Sequence, residues 1–369
     1  MTRILGLETS CDETAAAVVR DGRRVLSSVV ATQHDLHEPY GGVVPEIASR
    51  AHLERLTPTV RGALDEAGVA AGDLDAIAVG HRPGLIGSLI VGVSAAQALA
   101  WSLGKPLVGV NHVAAHLVAA RLVDGDTGDA VDQYEATQRP ATGLGLIVSG
   151  GHTSLYRLDA GDESGGMTRL GHTIDDAIGE AFDKAAVILG LGYPGGPAIE
   201  RCAAGGDPAA VAFPRSMLGR ESLDFSLSGL KTALLYAVRG KPTKPKKNAQ
   251  PVFERDASDL GDRERADLAA SFQAAAIDVV IRKLERALDF LESGGTPATH
   301  LTVGGGVTAN TPLREALRRL ADRRGLTLHL PAMAYCVDNA AMIAAAGHDR
   351  FARGDTDGLT LPAVSTGGA

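Results

Sequence analysis

Two histidines four residues apart, His112 and His116 in the run Asn111-His112-Val113-Ala114-Ala115-His116, are the residues whose spacing points most directly to chemistry. On a helix, positions i and i+4 share one face about 6 Å apart, so both imidazoles can reach one metal ion. The zinc-protease pattern is absent, because Val113 stands where that pattern needs its glutamate base. A third donor must come from elsewhere. Asp338, in Cys336-Val337-Asp338-Asn339 at the start of the last expected helix, is the candidate. A helix N-cap is the other role open to it. Two imidazoles and one carboxylate with positions left open suit Fe(II) or Zn(II) acting as a Lewis acid.

Two glycine runs, Ser149-Gly150-Gly151 and Gly304-Gly305-Gly306, each follow an expected strand. Backbone N–H groups left bare by glycine favour close approach of phosphate or ribose, with a tight turn as the alternative role. Pro194-Gly195-Gly196-Pro197 opens a further helix that carries Glu200, and Asp183 lies on the acidic stretch Asp175 to Lys184. Either carboxylate could accept hydrogen bonds from ribose hydroxyls, or simply charge a helix surface. Cys11 is a poor nucleophile, since Asp12 and Glu13 beside it disfavour the thiolate. No Ser-His-Asp set is present.

The elements that must position these groups follow from periodicity. Ile4 to Leu7 is a short apolar strand, and Ala15–Arg20 and Arg24–Val30 flank the hairpin turn Asp21-Gly22. A helical pattern runs from Pro45 to Gly68 with an interruption expected at Pro58. Strands are expected at Ala76–Val79, Leu107–Val110, Leu144–Val148, Ser154–Leu158, His300–Val303 and Leu326–Leu330. Helices are expected at about 85–104, 174–189, 226–239, 262–292, 310–321 and 338–352. A strand, polar loop, strand unit thus opens both halves, which suggests two related α/β lobes around a cleft. That is the arrangement of the actin, sugar kinase and Hsp70-type ATPase (ASKHA) superfamily. The lobes are expected at 1–120 plus 336–369 and at 121–335, with a flexible insertion at about 240–260.

Composition bounds the function. The 369 residues carry a formal net charge of −8, which excludes a general nucleic-acid binder. Two basic clusters remain, Lys241, Lys244, Lys246 and Lys247, and Arg314, Arg318, Arg319, Arg323 and Arg324. Solvated linker and helix faces are the plain reading of both. Three separated cysteines form neither a zinc pattern nor a disulfide framework, as in a reducing compartment. Met1 leads straight into Ile4–Leu7, so no signal peptide is expected. Leu85–Gly104 is uncharged and about long enough to span a bilayer, but it follows a strand and a glycine turn and reads as a buried helix.

In combination these motifs resemble one family. Leu5-Gly6-Leu7-Glu8-Thr9-Ser10-Cys11-Asp12-Glu13-Thr14 is similar to the opening of the tRNA N6-adenosine threonylcarbamoyltransferases. Tyr40 to Glu46, the His112/His116 run, Val148 to Thr153, Gly179 to Lys184, Tyr193 to Pro197, Ser228 to Thr232 and Asp338-Asn339 continue the resemblance through nearly the whole chain. It implies a two-lobed ASKHA fold in the cytoplasm. The implied reaction passes a threonylcarbamoyl group from L-threonylcarbamoyladenylate to N6 of adenosine 37 in tRNAs reading codons that begin with A, releasing AMP. His112, His116 and Asp338 would hold one divalent metal per subunit, Fe(II) or alternatively Zn(II). Ile147, Val148, Ser149, Gly150, Gly151, Asp183, Gly196 and Asn310 would contact the adenylate, and Glu200 stands where the family has Asp. Arg82 replaces the family's glycine before Pro83-Gly84. Implied partners are tRNA, a related ASKHA-fold protein, a small P-loop ATPase and an upstream threonylcarbamoyl-AMP synthase, with no membrane. A metalloprotease and an ASKHA-type ATPase or kinase are the rival readings.

Overall fold

A computed structural model describes residues 1–125, 142–159, 166–242, 253 and 255–366. Most of the expected insertion at 240–260, with Lys244, Lys246 and Lys247, lies outside the described residues, as does 126–141. The first half runs β1 (Arg3–Glu8), β2 (Glu13–Arg20), β3 (Arg24–Thr32), α1 (His34–His37), α2 (Pro45–Ala67), β4 (Ala76–Arg82), α3 (Ile86–Leu103), β5 (Leu107–Asn111), α4 (His112–Val118) and β6 (Val123–Asp124). The second runs β7 (Gly143–Val148), β8 (Thr153–Leu158), β9 (Met167–His172), α5 (Ile178–Leu189), α6 (Gly195–Ala203), α7 (Ser228–Arg239), α8 (Asp262–Ser293), β10 (His300–Gly304), α9 (Thr311–Arg324) and β11 (Thr327–His329). The last helix, α10 (Ala340–Ala352), returns to the first sheet and packs on β1, β2 and β4.

The sheet orders are β5-β4-β1-β2-β3-β6 and β11-β10-β7-β8-β9. In each, three antiparallel strands (β1–β3, β7–β9) carry two parallel strands on the side of the first. The two halves are therefore one topology used twice, the duplicated α/β arrangement of the ASKHA superfamily. Small residues make the helix-to-sheet contacts possible. A Cβ on Gly6 would lie 2.2 Å from the Ala340 carbonyl oxygen, and one on Gly347 would lie 2.4 Å from Ala78 Cβ. An alanine-rich α10 can sit this close to β1, which is how a chain poor in aromatics still fills its core.

Three expectations change. The helix from Pro45 is continuous through Pro58. The Glu54 carbonyl loses its donor there, but Ala51, Leu56 and Ala63 are buried and hold the helix on the sheet. Helix α3 is long and apolar enough to cross a membrane, yet it is not buried all round: Leu89, Val93, Ala96 and Ala100 face the core while Ile86, Ile90 and Trp101 are exposed. The arginine cluster of α9 is largely neutralised, with Arg319 on Glu315, Arg323 on Glu285 and Arg324 on Asp289.

Candidate metal centre and cleft

Helix α4 is the wedge between the two sheets. Ala115, Val118 and Ala119 pack with α10 and the first sheet, while Val113 and Leu117 pack with Ile147 and Leu158 of the second. Asn111 caps it, accepting from the Val113 and Ala114 N–H groups at 2.9 and 3.2 Å. This capped start directs both histidines into the cleft, His112 5% exposed and His116 fully buried.

Asp338 meets them. Its Oδ1 lies 3.2 Å from His116 Nε2 and its Oδ2 lies 3.7 Å from His112 Nε2. The helix-cap role belongs instead to Asn339, whose side chain accepts from the Met342 N–H at 3.0 Å. His116 Nδ1 has no hydrogen-bond partner, and its Nε2 meets only the Asp338 carboxylate. Two buried imidazoles and a carboxylate, their donor atoms within 4.8 Å of one another, fit a divalent metal.

The sequence reading missed Glu8. Fully buried, its carboxylate places Oε2 3.0 Å from His112 Nδ1, while Oε1 accepts from the Ser10 N–H at 2.5 Å. Gly80 leaves it room, since a Cβ there would fall 2.6 Å from Glu8 Oε2. With Nδ1–H donated to Glu8, His112 presents Nε2 to the metal position. The only signal in the sequence was a glutamate at the end of the first strand.

These charges set the titration of the metal-free site. Burial alone would lower the pKa of His112, but the Glu8 and Asp338 carboxylates raise it to about 9. Burial, with His112 and His116 nearby, holds His152 down at about 4. Metal uptake must therefore displace a proton from His112, and lower pH favours the proton. Below pH 9 the apparent metal affinity should fall by about tenfold per unit. Competition against a chelator of known affinity at pH 7 and pH 8 checks this.

The glycine turns face the metal residues from the second sheet. Gly179 lets the Ser149 turn lie on α5, as a Cβ there would meet the Ser149 carbonyl at 2.7 Å. Gly305 adopts φ +97°, and a Cβ on it would stand 2.4 Å from the Val148 carbonyl. By contrast, added Cβ atoms on Gly150, Gly151 and Gly196 would meet nothing within 4 Å. The distinction is testable. Gly305→Ala should cost about 1–3 kcal/mol of stability in urea unfolding, whereas Gly150→Ala should leave stability unchanged and weaken nucleotide binding.

Asp183 accepts from the Gly195 N–H at 2.8 Å and so holds the start of α6. Glu200, on the same helix, accepts from the Asn310 side chain at 3.2 Å and from the Thr311 N–H at 3.0 Å. Asn310 also donates to Gln273 and caps α9 through Leu313. The structure thus gathers the sequence-selected residues into two groups. His112, His116 and Asp338 form one; the 147–151 turn, Asp183 and Gly196, with Glu200 and Asn310 tied to the head of α9, form the other. Arg82 is exposed at the end of β4, where it pairs in register with Asn111. Burial, then Asp12, Asp338 and Glu13, push the Cys11 thiol far up, which removes it as a nucleophile.

Comparison with known proteins shows the family. A family model described as tRNA N6-adenosine threonylcarbamoyltransferase matches residues 24–345. A protein of that name from Trichlorobacter lovleyi is 49% identical over 365 residues, covering 98% of this chain and 96% of its own. Another, from Syntrophobacter fumaroxidans, is 50% identical over 352 residues, covering 95% and 94%. Among solved structures, HypF of T. kodakarensis aligns with a TM-score of 0.56 at 15% identity, over 96% of this chain and 48% of that one. A likeness at that identity concerns the fold alone.

Proposed function

The chain belongs to the tRNA N6-adenosine threonylcarbamoyltransferase family, and from that premise we propose how its cleft performs the transfer. The enzyme places a threonylcarbamoyl group on N6 of an adenosine in tRNA. The donor we assign is L-threonylcarbamoyladenylate, and the acceptor is adenosine 37 of tRNAs reading codons that begin with A. The N6 amine attacks the carbamoyl carbon, the new N–C bond forms, the C–O bond to phosphate breaks, AMP departs with its electron pair, and the proton lost from N6 passes to the departing phosphate or to water.

The observation that carries this reading is the meeting of His112 and His116 of the wedge helix with Asp338 from the start of the last helix, with the Gly304 turn packed against His116. A divalent metal there would polarise the carbamoyl carbonyl. Fe(II) is the ion we assign, since a mixed nitrogen and oxygen donor set suits it, with Zn(II) as the alternative. The Gly150 and Gly151 amides, which have open space beside them, would donate to the charge that grows on the departing phosphate. Ile147, Val148 and Ser149 supply the rigid strand end beneath them. Asp183, Gly196, Glu200 and Asn310 would border the adenosine, Glu200 and Asn310 by fixing the head of α9. N6 is a weak nucleophile, so holding it in place must supply much of the rate.

The lobes we assign, 1–120 plus 336–369 and 121–335, are supported by the return of α10 to the first sheet, while β6 (Val123–Asp124), paired with β3, belongs with the first lobe and moves that boundary beyond it. Because the chain is acidic, tRNA binding calls for help from partners, and we assign a related ASKHA-fold protein, a small P-loop ATPase and a separate synthase for the adenylate. The exposed Ile86, Ile90 and Trp101 of α3 offer an apolar face for the related protein. The cytoplasm, where tRNA and reduced thiols coexist, is the compartment this reading requires. Incubation with tRNA, the adenylate and these partners, followed by mass analysis of nucleosides, should yield N6-threonylcarbamoyladenosine. Its absence with tRNA bound and metal loaded would refute the donor assignment.

A further inference from the structure

A second set of donor groups lies in the cleft and has no part in the reaction as derived above. Asp12 and Glu13 lie side by side at the β1–β2 turn, and His34 opens α1. One ligand atom from each lies within 4.8 Å of the other two. His34 Nε2 is 3.6 Å from Glu13 Oε1. Asp12 is only 8% exposed, and one of its carboxylate oxygens lies within 4.8 Å of a Glu13 oxygen. Among the described residues, neither acid has a lysine or arginine partner. Two carboxylates this close repel each other, and a shared cation removes that repulsion. Tyr193 of the second half approaches the same spot, its ring meeting that of His34 edge to face with centroids 5.8 Å apart.

We propose that Asp12, Glu13 and His34 form a second divalent-cation site, separate from His112, His116 and Asp338. Two carboxylates and one imidazole suit first-row ions such as Mn(II). Neighbouring ligands on one such ion sit roughly 3 Å apart, given metal–ligand bonds of about 2.1 Å. The cluster must therefore tighten by about 1 Å or more, and His34, 41% exposed, can move to do so. A cation there answers a problem of charge, because a donor bearing a phosphate and a carboxylate must enter a cleft that holds Asp12, Glu13, Asp183 and Asp338. That role rests on the donor proposed above; the binding itself does not.

The test uses the full chain, stripped with a chelator and titrated with Mn(II) alone, with free ion followed by electron paramagnetic resonance. Wild type should bind two ions per chain, and Glu13→Gln and Asp12→Asn one each. His112→Ala should retain the ion that depends on Glu13. His34→Ala, at an exposed position with little bearing on folding, should weaken that ion by on the order of 10–100-fold. A wild-type count of one ion, or an undiminished count in natively folded Glu13→Gln and His34→Ala, overturns the proposal. Loss of product in the reconstitution with the second ion still bound would instead count against the donor assignment alone.

Discussion

Asp338→Ala should lose its metal and, with it, on the order of 10²–10³-fold of transfer activity, while the protein stays folded. The two histidine Nε2 atoms share one carboxylate, and its loss leaves a pair of imidazoles with no anionic ligand between them. Helix α10 does not depend on this residue, because Asn339 caps it and its alanines remain packed on the first sheet. Elemental analysis and circular dichroism together decide the matter. Full metal occupancy in the variant would mean that Asp338 serves only the turn before the helix.

Glu8→Gln should lower metal affinity by about 10–100-fold without removing a ligand. Glutamine fills the same space beside Gly80 but carries no charge, so His112 loses one of the two carboxylates that hold its proton. The pKa of His112 should then fall, and the pH range over which metal uptake strengthens should move downward. General damage to the site would weaken uptake without that displacement. Chelator competition across pH separates the two results, and an unmoved pH profile would exclude Glu8 as the group that orients His112.

The sequence made the metal residues legible for a simple reason: helical spacing fixes which histidines share a face, and α4 is indeed a helix. Strand ends followed by glycine likewise marked Gly150 and Gly305. Glu8 was invisible because its partner lies over a hundred positions away, across neighbouring strands, and no local pattern encodes that contact. Strand β9 was missed for a different cause. It is an edge strand of alternating exposure too weak to read, with Thr168 and Arg169 in solvent. The Pro58 expectation failed because tertiary packing along α2 outweighed one missing hydrogen bond.

The return of α10 to the first sheet also sets an order of assembly. During synthesis β1, β2, β4 and β5 emerge early, but the face formed by Ala15, Ala17, Ala78 and Val110 stays uncovered until the chain has passed residue 352. The entire second half must be made, and must fold as an excursion, before its return lays Asp338 beside His112 and His116. A ribosome-bound or truncated chain therefore has a histidine pair but no closed metal site. A metal held there would act as a final latch on a loop of more than two hundred residues, and a newly made molecule would become competent for chemistry only when its last helix docks.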